Sequence, residues 1–108
     1  MKAPRRIKIG AALVRIEFVV RLTSEGKEVD GTFGDGIIQI HEALAGKALA
    51  ETFLHELLHA ITHYHHIAQP DFDEEQVVAR YSFPLTTFFV DNPTARKWRC
   101  SLPVSYTH

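Results

Sequence analysis

The chain has 108 residues, 45% of them apolar, with 12 basic and 13 acidic side chains and a formal net charge of -1. That suits one small domain, residues 1–108, and the balanced charge excludes the one-sided surface of a nucleic-acid or acidic-membrane binder. No apolar run approaches the roughly 18 residues of a membrane span, the N-terminus lacks the apolar core of a signal peptide, and the single Cys100 has no internal disulfide partner, so a reducing cytoplasmic setting is expected.

Taken in chain order, Ile7 to Gly10 reads as a short strand. From Ala12 to Leu22, the residues Val14, Ile16, Phe18, Val20 and Leu22 alternate with Arg15, Glu17 and Arg21, the period of a strand with one buried face. "TSEGKE" reads as a turn, "VDGTF" as a short extended segment, "GDG" as a corner, and the β-branched run "IIQIH" at 37–41 as a further strand. Short links favour antiparallel pairing. The expected class is α+β, with a mostly antiparallel sheet of three or four strands over about residues 5–41 packed on two helices.

The first helix is expected over about 46–65, where good helix formers run without proline until Pro70. "IAQPDFD" closes it. A second helix is expected over about 71–90, with Val78, Tyr81, Leu85 and Phe88 as its buried stripe, Val77 beside them, and Pro84 kinking or breaking it. The tail, 92–108, contains Pro93 and Pro103, shows no clear period and is expected to be extended.

The first helix carries "LHELLHAI", a His-Glu-x-x-His pattern formed by His55, Glu56 and His59. Seven histidines and eight glutamates in this length give roughly 0.03 such patterns by chance, so coincidence is a poor explanation. At 100° per residue His55 and His59 stand one turn apart and about 40° round, so both imidazoles can reach one ion, and zinc suits that pair. Glu56 is displaced from that line, within reach of a water on the metal, where a general base is needed. Leu54, Leu57, Leu58 and Ile61 cover one side, with Leu49, Phe53, Ala60 and Tyr64 round the back, so a metal in a cleft explains the histidine stripe better than a solvent-facing row on a core helix. His63 and His66 continue the stripe and are candidate substrate contacts, although surface histidines near a helix end are the commoner case.

Catalytic zinc takes three protein ligands and keeps one position open. No later histidine stands at a suitable distance, which leaves the acidic cluster "DFDEE". Glu74 shares the direction of the second helix's apolar stripe and is the expected third ligand, with Glu75 as the alternative; the competing reading is a capping box of Asp71 and Glu74. Glu74 can return beside His59 only if the first helix ends within one or two turns of it.

With "LHELLHAI" followed by "DEEQVVARYSFPLTTFFVDNP", the chain resembles the gluzincin metallopeptidases over about residues 37–93, and in size it is similar to their smallest members, the minigluzincins and related peptidases encoded by phages and prophages. The resemblance implies a minimal zincin: an antiparallel sheet, an active-site helix and a glutamate helix, with His55, His59 and Glu74 on the metal and Glu56 as base. It also implies that Ile37 to His41 forms the rim where an extended peptide pairs. For the residue that stabilises the oxyanion, Tyr64, Tyr81, His63 and His66 are candidates. Small relatives can be latent, so the tail is a candidate inhibitory segment.

The function expected on these grounds is zinc-dependent cleavage of a peptide or protein substrate. Zinc acidifies a water, and Glu56 takes its proton during attack on the peptide carbonyl, then passes it to the leaving amine. The alternative is a non-catalytic zinc-binding phage accessory or assembly protein, whose metal stabilises a small core. A zinc nuclease is disfavoured for lack of a basic surface.

Overall fold

The computed structural model describes residues 2–67 and 73–103. Its elements are β1 (Arg6–Ile9), β2 (Ala12–Val19), β3 (Thr23–Ser24), β4 (Lys27–Glu28), β5 (Gly31–Gly34), β6 (Ile37–His41), α1 (Gly46–Tyr64), α2 (Glu74–Asp91) and α3 (Pro93–Ser101). Four strands form one sheet in the order β1-β2-β6-β5, and β3 pairs with β4 in a separate small hairpin. The class is α+β and the sheet is mostly antiparallel. The β2–β6 pair is parallel, with Ile16 opposite Ile38 and Phe18 opposite Ile40, because residues 20–36 give the chain room to cross back before β6. At Asp35-Gly36 both φ angles are positive, 51° and 74°, as a two-residue type I′ hairpin turn between β5 and β6 requires.

Alternation sends Ile7, Ile9, Val14, Ile16, Ile38 and Ile40 into the core, all at most 5% exposed. Against them α1 lays Leu49, Phe53, Leu57, Ala60 and Ile61, which recur every three or four residues. Each large side chain buried in this way contributes about 1.5–3 kcal/mol. The strand expected to reach Leu22 ends at Val19; Val20 lies outside it and is exposed, while Leu22 is buried.

The tail differs from expectation. Residues 93–101 form a helix, α3, with Pro93 in its first turn, where a missing N–H costs nothing. Ala95 and Trp98 are buried in the main core, and the Trp98 ring meets Phe53 edge-on at 5.2 Å between centroids. Residues 93–101 pack into the core, as a segment lying in a cleft would not; residues 104–108 lie outside the described residues.

The second helix also departs from its expected form. It runs without a break through Pro84, which is buried, and it begins at Glu74, capped by Asp73 and Gln76 in a reciprocal box. Asp71, proposed as the cap, lies outside the described residues. The helix reaches the core through buried Phe88, with Tyr81, Leu85 and Phe89 partly buried against it; Val77 and Val78 are exposed, and with Leu58, Tyr81, Ser82 and Leu85 they line an open apolar groove. Asn92, between α2 and α3, ties this unit to the sheet. Its Oδ1 accepts from the Lys8 N–H at 2.7 Å, and its Nδ2 donates to the carbonyls of Lys8 at 2.7 Å and Phe88 at 2.8 Å. One side chain thus pairs with the edge strand β1 as a neighbouring strand would. Among the described residues no helix is long and apolar enough to cross a membrane.

Candidate metal centre

Three residues of α1 sit where β5 passes over the helix. His55 and His59 are exposed on one face, with their Nε2 atoms 3.2 Å apart and their rings inclined at 72°. Two nitrogens bound to zinc at 2.0–2.1 Å and separated by 3.2 Å would subtend about 100–105° at the ion, close to tetrahedral. The donor set therefore fits a zinc ion as two of its ligands. The same separation serves an N–H···N bond between two neutral rings.

Glu56 is placed differently from its neighbours. Only 6% exposed, it lies under β5 with its carboxylate accepting no hydrogen bond among the described residues. Burial pushes its carboxyl above the usual glutamate range, and the charges of His55 and His59 partly oppose that shift. A raised carboxyl beside a histidine pair is suited to accept and return a proton near neutral pH.

Gly31 makes this packing possible. It pairs with Ile40, so its missing side chain would face α1 with the core row. A Cβ there would stand 2.8 Å from Thr52 Cγ2 and 3.0 Å from Glu56 Cγ. The glycine lets the strand backbone close directly on the glutamate.

Two cavities meet at this point. The smaller, about 320 Å³, is lined by Asp30, Gly31, Glu51, Thr52, His55 and Glu56. The larger, about 670 Å³, shares Gly31, His55 and Glu56 and runs on along β5 past Phe33, His59, Thr62 and His63. His63 is exposed on its wall, with its ring centroid 5.7 Å from that of Phe33.

The remaining candidates fall elsewhere. Glu74 and Glu75 stand exposed on the first turn of α2, and no group of three metal-binding side chains is assembled among the described residues. α1 does end at Tyr64, within one and a half turns of His59, as a returning glutamate requires. Yet the contact between the helices is made by Tyr81 and Thr62, and Glu74 precedes Tyr81 by two turns, about 10 Å along the axis. Thr62 donates to the Leu58 carbonyl at 2.7 Å, so the Tyr81 hydroxyl donates to Thr62 rather than facing the cavity. Tyr64 packs on Phe33 and His63 and does not line either cavity; His66 takes a left-handed conformation, φ 52°, in the turn that ends α1 and lines neither.

The expected rim strand is also reassigned. β6 is hydrogen-bonded to β2 on one side and β5 on the other, so it has no free edge for a peptide. β5 is the edge strand and borders the larger cavity along its whole length. Gly31, Thr52 and Phe33 are site residues that sequence reasoning missed, and no local pattern marks them.

Compared with protein-family models, with curated proteins and with solved structures, the chain finds no match.

Proposed function

We propose that the chain is a zinc-dependent peptidase of the gluzincin type, a minimal zincin acting on extended peptides. The observation that carries this reading is the unpaired carboxylate of Glu56, buried under a glycine yet bordering both cavities, beside two imidazoles set at the spacing of zinc ligands. His55 and His59 would hold the ion, with Glu74 as the proposed third ligand and Glu75 as its alternative. When bound, zinc supplies Lewis-acid chemistry, polarising a carbonyl and acidifying water.

The chain's own residues do the rest. Glu56 takes a proton on its carboxylate oxygen from the attacking water and returns it to the amine nitrogen as the C–N bond breaks. Its buried position under β5 favours the protonated form between those two transfers. The open edge of β5 aligns the peptide by strand addition beside the histidines, which supplies orientation without any specific side chain. Phe33 and His63 line the larger cavity on one side of the scissile bond.

The test is cleavage of a mixed peptide library by the full chain, stripped of metal and then given one equivalent of zinc. Cleavage by the zinc form alone is the expected result. Zinc binding with no cleaved peptide would favour the accessory-protein reading instead.

A further inference from the structure

The smaller cavity has a chemical character of its own. Asp30, at the entry to β5, and Glu51, one turn before His55 on α1, stand on its walls, and Thr52 contributes a hydroxyl. Glu56 supplies an independent observation: it is 6% exposed, accepts no hydrogen bond among the described residues, and borders the same space. Three carboxylates thus border about 320 Å³, two of them exposed and the third, Glu56, buried. Lys47 lies 3.6 Å from Glu51 with both side chains about two-thirds exposed, a pair too weak to hold Glu51 from a better partner.

We propose that this cavity is a specificity subsite for a lysine or arginine side chain of the substrate, next to the scissile bond. The inference rests on the peptidase reading and extends it. Gly31, His55 and Glu56 belong to both cavities, so a peptide laid along β5 crosses from one to the other over Glu56. Side chains of a strand alternate, and same-side residues recur every 6.6–6.8 Å. One side chain therefore drops toward Asp30 and Glu51 while another, beyond the cleaved bond, meets Phe33 and His63. The long aliphatic stem of lysine or arginine packs along Thr52, and its head replaces water at the carboxylates. The larger cavity has an aromatic ring and imidazoles on its walls, so the two sides select different residues.

Binding and cleavage are measured on separate samples. Zinc-loaded Glu56→Gln is titrated with acetylated alanine octapeptides carrying one lysine, or one glutamate, at successive positions. At one position lysine should tighten binding about fivefold over alanine, the size of one exposed charge pair, and glutamate should weaken it. Adding Asp30→Asn and Glu51→Gln should bring the lysine and alanine peptides within twofold, with alanine binding unchanged; Glu51→Gln alone should remove about half of the preference. Lys47→Ala should increase it. Equal binding of lysine and alanine peptides, a preference that survives both substitutions, or no binding at all would overturn the subsite. Wild-type zinc protein given the same peptides separates the two ideas: cleavage without a basic preference removes the subsite and keeps the peptidase, whereas lysine-selective binding without cleavage does the reverse.

Discussion

Replacing Gly31 by alanine tests how closely β5 is laid on α1. The new Cβ would meet Thr52 Cγ2 at 2.8 Å, Glu56 Cγ at 3.0 Å and Glu56 Oε2 at 3.2 Å. Carbon pairs rest at about 3.5–4.0 Å, so two contacts are too short by about half an ångström or more. Thr52 is β-branched and fixed on a helix, and the Glu56 contact is in the middle of its chain, so neither yields cheaply. Overpacking by one methyl costs about 1–3 kcal/mol, against a gain of about 0.4–1 kcal/mol from stiffening the unfolded chain, leaving a net loss of about 1–2 kcal/mol. Urea unfolding followed by the fluorescence of Trp98, the chain's one tryptophan and only 3% exposed, measures it. Peptide hydrolysis should fall about 10–100-fold as Glu56 is displaced. Gly34→Ala is the control, because a Cβ there meets nothing within 4 Å. Adding Thr52→Ser to Gly31→Ala should recover part of the stability and little of the activity. A Gly31→Ala protein as stable and as active as Gly34→Ala would refute the close packing and the placement of Glu56 with it.

Asn92→Ala should destabilise by about 2–4 kcal/mol, since three hydrogen bonds are lost, one buried and two part-buried, and the Lys8 backbone is left without its partner; urea midpoints and hydrogen exchange at the Lys8 amide check it. In metal-free protein, the fold favours the protonated form of Glu56, so its contribution to stability is fully present below the unfolded glutamate range and is lost as pH rises through the raised folded value. Metal-free Glu56→Gln should therefore melt above wild type at pH 7, and the gap should close below about pH 4, as thermal melts across pH will show. Glu74→Gln should weaken zinc binding about 10–100-fold and Glu75→Gln by less than threefold, measured by competition with a chelator; the reverse order would move the third ligand to Glu75.

Much of the site's first half was legible because it lies within one helix. The period of Leu49, Phe53, Leu57 and Ile61 fixes which way α1 faces, and spacing alone then brings His55 and His59 together. A proposed third ligand depends on how a second helix crosses the first, which local pattern does not encode. Glu74 shares a face with Val78 and Tyr81 in the helical pattern, but the N-terminal half of α2 leaves Val77 and Val78 exposed, so that face is not a buried one there. The order of the strands was hidden for a similar reason: a parallel β2–β6 pair joins residues that are distant in sequence. Its trace was the isoleucine-rich run "IIQIH", which has no exposed residue despite Gln39 and His41, as suits an interior strand. The helical tail could have been read from Pro93 at a helix start followed by Ala95, Trp98 and Leu102 at helical spacing; its polar remainder, Arg96, Lys97 and Arg99, masked that pattern. The role of Gly31 was not legible, because only a close approach in three dimensions gives a strand glycine its meaning.

The most direct measurement is made on Glu56→Gln: zinc content after equilibrium dialysis, and peptide turnover on the same sample. One equivalent of zinc retained, with hydrolysis reduced at least about 100-fold against wild type, is the expected pair of results. Turnover equal to wild type would contradict the assignment of Glu56 as the base, and His55→Ala or His59→Ala proteins that still held one equivalent of zinc would contradict the metal centre itself.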